Sequence, residues 1–400
     1  MISIEMPAWS RKNVELEHDQ AAEVSRLGLV DVVARGRGQA WTLVAGSRIG
    51  VAFGSGWELR VRPRLAIPKL FFLLAYAADP KGWRDQSADF ANESDLLDAV
   101  ASGFSWHALR AIECGLLRGY VRIDERLTTI RGRIRFGDQI ARSASLPLPI
   151  EVSYDDYTED ILENRMLKTA TVALLRLPRV PGLARKRLLK LRGLLDNVSL
   201  VERPREVRAP PLTRLNRRYG AGLRLAELIL HSASIEAAKG PISASAFVFD
   251  MNRVFEDFVT IALREAMGPS GTMVRSQWTG YLDEENQLGI RPDVTWWDGK
   301  RCMAVADAKY KALAPKTMPN ADAYQMLAYC SVLRLRRGFL VYAKDSGERP
   351  RSHKVANSDC VIEVRTLDVE AGPISLLRQV RALADEIAAS YSRGGSRVVI

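Results

Sequence analysis

Apolar and polar positions alternate in short runs broken by glycine near the start of the chain: Leu29 to Val33, Ala40 to Val44, Ile49 to Phe53 and Leu59 to Pro63. A period of two with glycine punctuation predicts a small β-rich unit. An apolar run from Leu70 to Ala78, opened by Pro68-Lys69 and stopped at Asp79-Pro80, predicts a helix; so does a longer proline-free pattern from Ser94 to Leu117. Tyr120 to Ile123 and Thr128 to Phe136 alternate apolar with basic residues around Asp124-Glu125-Arg126. That predicts a protruding hairpin with a charged tip near residues 120 to 136. The acids of Asp155 to Asp160 precede Ile161 to Leu177, where Leu162, Met166, Ala170 and Ala173 keep helical spacing, so they are expected at a helix N-terminus.

Further on the order becomes α, β, β, β, α, β. Phe255, Phe258, Val259 and Ala262 stand at i, i+3, i+4 and i+7, predicting a helix from Asn252 to Met267 with Glu256 beside its buried stripe. Strand-like runs follow at Met273 to Gly280, Leu288 to Trp297 and Arg301 to Tyr310, then a helix from Ala321 to Leu333, strands at Phe339 to Tyr342 and Val361 to Val364, and a closing helix from Ser375 to Ser390. The predicted fold class is α+β or mixed α/β, a mixed sheet flanked by helices preceded by a β-rich and helical region. Three segments are expected: 1–150, β-rich and helical; 151–240, helical and basic; and 241–400, with a break at Lys239-Gly240-Pro241.

At 400 residues the chain has the length of two or three domains and needs no staples for its cores. Cys114, Cys302, Cys330 and Cys360 stand far apart with no Cys-x-x-Cys, so neither a zinc cage nor a disulfide framework is readable. No leader-like start and no apolar window of about 18 residues occur, so a cytoplasmic protein with no membrane attachment is expected. The net charge of +11 is concentrated: Arg176 to Arg224 holds fourteen Lys and Arg against three acids, and the rest of the chain balances. Such a stretch attracts polyanions. Arg185, Lys186, Arg187, Lys190 and Arg192 also sit among Leu188, Leu189, Leu191 and Leu194 as on any amphipathic surface helix, and both readings stand.

Pro292-Asp293 and Asp307-Ala308-Lys309 end two neighbouring strand patterns, with the aspartates fourteen positions apart and an Asp298-Gly299 turn between the strands. A hairpin folded there lets Asp293 and Asp307 face one divalent cation, and Asp307 and Lys309, two apart, share a face. Oxygen ligands for Mg²⁺ with an adjacent ammonium are what phosphodiester hydrolysis needs. Taken alone, Asp-x-Lys is common, and a salt bridge at a strand end is the plain alternative.

Joined by Glu256 on the preceding helix, and by Gln325 and Tyr329 four apart on the following one, these residues resemble the PD-(D/E)XK nuclease superfamily in its branch with a Gln-x-x-x-Tyr helix. The resemblance implies that Asp293, Asp307 and the backbone carbonyl of Ala308 hold Mg²⁺, with Mn²⁺ able to substitute. It implies that Lys309 is catalytic, that Glu256 joins the catalytic set by supporting the metal site, and that Gln325 and Tyr329 steady the site or touch DNA. Lys311 is either a phosphate contact or an ordinary exposed lysine.

Longer stretches are similar to the McrC family: Asp307 to Lys311, Met251 to Val259, Tyr324 to Tyr329, and upstream Ile67-Pro68-Lys69, Gly115 to Tyr120, Arg131 to Ile134, and Tyr157 to Asp160 with Asn164-Arg165. That resemblance implies the endonuclease subunit of a type IV, modification-dependent restriction complex used in antiphage defence. Such a subunit docks through its N-terminal region on a hexameric, GTP-driven, McrB-like AAA+ motor, stimulates it, and cuts double-stranded DNA carrying modified cytosine. No Gly-x-x-x-x-Gly-Lys-Ser/Thr occurs, so this chain itself is expected to bind no nucleotide. A stand-alone RecB-like repair or recombination nuclease, and a non-catalytic activator of the motor, are the alternatives.

Overall fold

Alternation in the first sixty residues becomes two small sheets. The elements are β1 (Ile2–Pro7), β2 (Arg11–Glu15), α1 (His18–Leu27), β3 (Val30–Ala34), β4 (Ala40–Ala45), β5 (Arg48–Gly54) and β6 (Trp57–Arg62), followed by α2 (Ile67–Ala78). β2, β4 and β3 form an antiparallel sheet, while β1 runs parallel to β6, which pairs antiparallel with β5. The computed structural model describes residues 2–36, 38–78, 80, 96–142, 148–204, 206–232, 245–268, 273–311, 319–343 and 350–392. Asp79, Ser94 and Lys239-Gly240-Pro241, where the sequence pattern puts a helix stop, a helix start and a boundary, lie outside the described residues.

Two compact units divide the chain, one made of Met1–Ser94 with Val248–Ile400 and the other of Asp95–Phe247. The second holds α3 (Leu96–Ile112), β7 (Gly119–Leu127), β8 (Arg133–Ile134), α4 (Phe136–Arg142), β9 (Ile150–Thr158), α5 (Leu162–Leu175), α6 (Gly182–Leu194) and α7 (Gly220–Ser232). Position 150, expected as a segment boundary, is the first residue of β9, whose partner β7 belongs to the same unit. Hydrogen-bonded strands cannot be parted into separate domains there.

The expected hairpin at 120–136 is not formed. β7 runs unbroken through Asp124-Glu125-Arg126 and pairs along its length with β9, from Gly119 opposite Thr158 to Leu127 opposite Ile150; β8 also pairs with β9, giving the order β7-β9-β8. The charges that suggested a turn tip are answered across the ladder, as where Arg126 stands opposite Glu151 and binds it at 2.7 Å. Asp155 and Asp156 belong to β9 rather than to a helix start. Asp160 does precede α5, but its carboxylate accepts from Arg165 Nε and Nη2 at 2.8 Å each and from the Ser199 amide and hydroxyl at 2.7 and 2.8 Å, tying down the segment after α6. α6 itself buries Ala184, Leu188 and Leu191 and turns Arg185, Lys186, Lys190 and Arg192 to solvent. Part of the basic surplus therefore lies on a solvated helix face.

The remaining elements are β10 (Ser245–Asp250), α8 (Met251–Met267), β11 (Met273–Ser276), β12 (Gly280–Tyr281), β13 (Gly289–Ile290), β14 (Val294–Asp298), β15 (Arg301–Lys309), α9 (Asn320–Leu333), β16 (Arg337–Ala343), β17 (Arg351–Lys354), β18 (Val361–Leu367) and α10 (Pro373–Ser392). Six of these strands make a mixed sheet in the order β11-β14-β15-β16-β18-β17, with β15, β16 and β18 parallel to one another and the outer pairs antiparallel. β15 reads as a nearly continuous buried run because it lies between two strands and under helices. Asp250 caps α8 by accepting the Asn252 amide at 3.0 Å, and α8 buries Phe255, Phe258, Val259 and Ala262, the stripe its spacing predicted. Mixed α+β architecture with a helix-flanked sheet agrees with the sequence expectation.

Candidate active site

β14 and β15 fold back on each other at Asp298-Gly299, with Gly299 at φ +56°, a conformation glycine takes without steric cost. Their register pairs Val294 with Ala306, so Asp293, one residue ahead of β14, comes opposite Asp307. Asp293 Oδ2 accepts the Ala308 backbone N–H at 2.7 Å, which fixes its carboxylate against the neighbouring strand. Val305 belongs to the apolar cluster formed with Met326, Tyr329, Cys330 and Leu333 of α9. Asp307 and Lys309, two and four residues further, face the same helix. Lys309 Nζ forms an ion pair with Asp307 Oδ2 and donates to Gln325 Oε1 at 2.9 Å.

From Gln325 the bonds continue. Its Nε2 donates to the Tyr329 hydroxyl at 2.7 Å, and that hydroxyl donates to the Arg291 carbonyl at 3.2 Å. A second chain of bonds starts on α8, where Glu256 Oε1 accepts from Gln277 Nε2 at 2.9 Å and Gln277 Oε1 accepts from the Arg291 guanidinium. The structure thus brings Asp293, Asp307, Lys309, Gln325, Tyr329 and Glu256 into one polar constellation. Lys311 is engaged differently: its ammonium pairs with Asp322 at 2.8 Å, and Asp322 also accepts from the Tyr342 hydroxyl at 2.5 Å.

Asp293 is only 9% exposed and Asp307 2%, which decides the electrostatics. Burial raises both carboxyl pKa values; the charges of Asp307 and Glu256 raise Asp293 further, whereas Lys309 pulls Asp307 back. Burial works against the Lys309 ammonium, but Asp307 and Asp293 outweigh it and hold its pKa above the ordinary lysine value. Burial, then the same two carboxylates, raises Tyr329.

A divalent cation fits this donor set. Asp307 Oδ2 is buried with the Lys309 ammonium as its partner, and two carboxylates crowded out of water, with one ammonium beside them, are what a cation relieves. Among the described residues no three of His, Cys, Asp and Glu converge into a closed cage. Mg²⁺ does not require one, since it keeps several waters and binds through one or two carboxylates.

Sequence reasoning did not find Gln277, Arg291, Asp322 and Tyr342. Asp322, Gln325 and Tyr329 stand at i, i+3 and i+7, so the helical face that carries them was readable from the sequence. Gln277 gave no such signal, because its role depends on a left-handed backbone, φ +51°, at the end of β11.

The fold and the paired strands define a class of proteins, mixed α+β chains that carry two buried aspartates and a lysine at a sheet of this topology. The same fold occurs in a chain of the refined half-complex from a tetradecameric assembly of Thermococcus gammatolerans McrB AAA+ hexamers with bound McrC: the TM-score is 0.56 at 17% identity, covering 96% of this chain and 100% of that one. A chain of the cryo-EM structure of the Thermococcus gammatolerans McrBC complex aligns less closely, with a TM-score of 0.39 at 20% identity over 68% of this chain and 89% of that one. Among curated protein sequences none matches significantly. The profile of McrBC 5-methylcytosine restriction system components matches residues 44–343, and the chain belongs to that family.

Proposed function

We propose that the chain is the Mg²⁺-dependent DNA endonuclease subunit of a modification-dependent restriction complex, with a PD-(D/E)XK nuclease unit built on the six-stranded sheet. The observation that carries this reading is the convergence of Asp293, Asp307 and Lys309 at adjacent strands, two buried carboxylates beside one ammonium. Asp293, Asp307 and the Ala308 carbonyl would hold the cation, and Glu256, engaged by Gln277, would support them from α8. When bound, Mg²⁺ offsets charge developing on the phosphate and lowers the pKa of a coordinated water. Lys309, kept an ammonium by the carboxylates, acts as a donor that orients the phosphate or the attacking water. Gln325 and Tyr329 hold that ammonium in place through the Lys309–Gln325–Tyr329 bonds.

Family membership and the fold shared with a McrB–McrC assembly support a McrB-like AAA+ GTPase hexamer as the partner and DNA with modified cytosine as the substrate. The test uses the full chain with the AAA+ protein and methylated plasmid. Wild type cuts only when Mg²⁺ and GTP are both present, and Asp307→Ala stops cutting while partner GTP hydrolysis is still stimulated. Equal cutting by wild type and variant would refute the nuclease reading; stimulation without cutting by wild type would leave only an activator.

A further inference from the structure

Arginines in this protein commonly grip a carboxylate: Arg118 holds Glu159, Arg126 holds Glu151, Arg131 holds Asp156, Arg165 holds Asp160 and Arg365 holds Glu386. Arg291 does not. Its side chain is exposed, and among the described residues its partner is the neutral amide of Gln277, with no carboxylate paired to it. Yet acids are at hand: Asp293 is two residues along the chain, and Glu256 is bonded to the same Gln277.

Gln277 is placed by an unusual backbone. At φ +51° it takes a left-handed conformation that a residue with a side chain seldom adopts, and its N–H donates to the Asp293 carbonyl at 2.9 Å. That conformation gives the amide its two partners, Glu256 through Nε2 and Arg291 through Oε1. The backbone of Arg291 is held as well, since its carbonyl accepts from the Tyr329 hydroxyl.

We propose that Arg291 grips a DNA phosphate beside the two aspartates, and that Gln277 is the positioning residue that holds its guanidinium ready without neutralising it. The inference rests on the nuclease reading above. A guanidinium carries five donors in a planar fork, of which an amide oxygen occupies little and cancels none of the charge. A carboxylate in the place of Gln277 would form a charge-assisted pair that phosphate would have to break. A neutral amide yields to an anionic phosphate, and the fork then binds two of its oxygens while the backbone stays anchored.

The experiment compares full-length wild type, Arg291→Ala and Arg291→Lys, titrating a short labelled DNA duplex in Ca²⁺ across a salt series, with Tm as the folding control and cleavage of methylated plasmid with the AAA+ partner, GTP and Mg²⁺ read separately. Arg291→Ala is expected to bind about tenfold more weakly and to show a log–log salt slope shallower by about 1, with Tm unchanged. Arg291→Lys keeps the slope but recovers only part of the affinity, because a point charge lacks the fork. Wild-type affinity and slope in Arg291→Ala overturn the inference alone, provided wild type binds and cuts DNA. A wild type that neither binds nor cuts DNA overturns the nuclease reading and this inference with it.

Discussion

Replacing Asp293 with Asn removes a charge that the fold has to bury, while an amide oxygen remains to accept the Ala308 N–H now bonded at 2.7 Å. Burial first, then the charges of Asp307 and Glu256, raises the Asp293 pKa. An acid whose folded pKa lies above its unfolded value, about 3.9, contributes its full stability below that pH and loses it as pH climbs towards the folded pKa. Each pH unit in that window costs at most about 1.4 kcal/mol. Relaxation and water entry reduce this, so the relief at neutral pH is on the order of 2 kcal/mol. For a unit of this size that is a Tm higher by about 4–8 °C. The assay is thermal unfolding in EDTA between about pH 5 and 8. Asp293→Asn should be the more stable protein, with an advantage that widens as pH rises. Asp307→Asn should gain less than Asp293→Asn, because Lys309 already pulls that carboxyl back and the substitution removes their ion pair. An Asp293→Asn protein no more stable than wild type at any pH would refute the reasoning, since the carboxylate would then carry no burial cost.

Other expectations are checked more simply. Arg165, against the cost of burial and with help from Ser199, pulls the Asp160 pKa down to about 2. Its contribution is present above about pH 3.9 and lost as pH falls towards 2, so Asp160→Asn should flatten acid unfolding over that window and cost about 2 kcal/mol at neutral pH by denaturant titration. Cys114 is exposed, whereas Cys302, Cys330 and Cys360 are buried and burial raises their thiol pKa, that of Cys302 to about 11. A thiol reagent should therefore label one cysteine in the native protein and four after denaturation. At Gly338 a Cβ would collide with Met326 and come within 2.7 Å of the Cys330 sulfur. Gly338→Ala should lower stability by about 1–3 kcal/mol and, by pushing α9, weaken cleavage more than partner stimulation.

The site was legible largely because it is local. Asp298-Gly299 sets the hairpin, a buried strand needs the apolar run of β15, and the face shared by Asp307 and Lys309 follows from pleating alone. α8 announced itself by its stripe of Phe255, Phe258, Val259 and Ala262. The misreadings are long-range ones. Charges alternating along 119–127 look the same whether the strand turns back at once or, as here, pairs with 150–158, and nothing local distinguishes a charged tip from a charged face. β17, Arg351–Lys354, is a polar edge strand with no apolar alternation to reveal it. Cysteines far apart in sequence, Cys302, Cys330 and Cys360, meet in one buried cluster only because β15, α9 and the approach to β18 pack together. The division of the chain escaped for the same reason, since residues 95–247 interrupt a unit whose two parts are separated in sequence.

Anomalous scattering from crystals grown with Mn²⁺ puts the central claim to its most direct test. The two aspartates should share the metal, with anomalous density about 2.0–2.3 Å from an oxygen of each and no such density in Asp307→Ala. Mn²⁺ bound only elsewhere, or carboxylates of Asp293 and Asp307 that stay unliganded in its presence, would contradict the account.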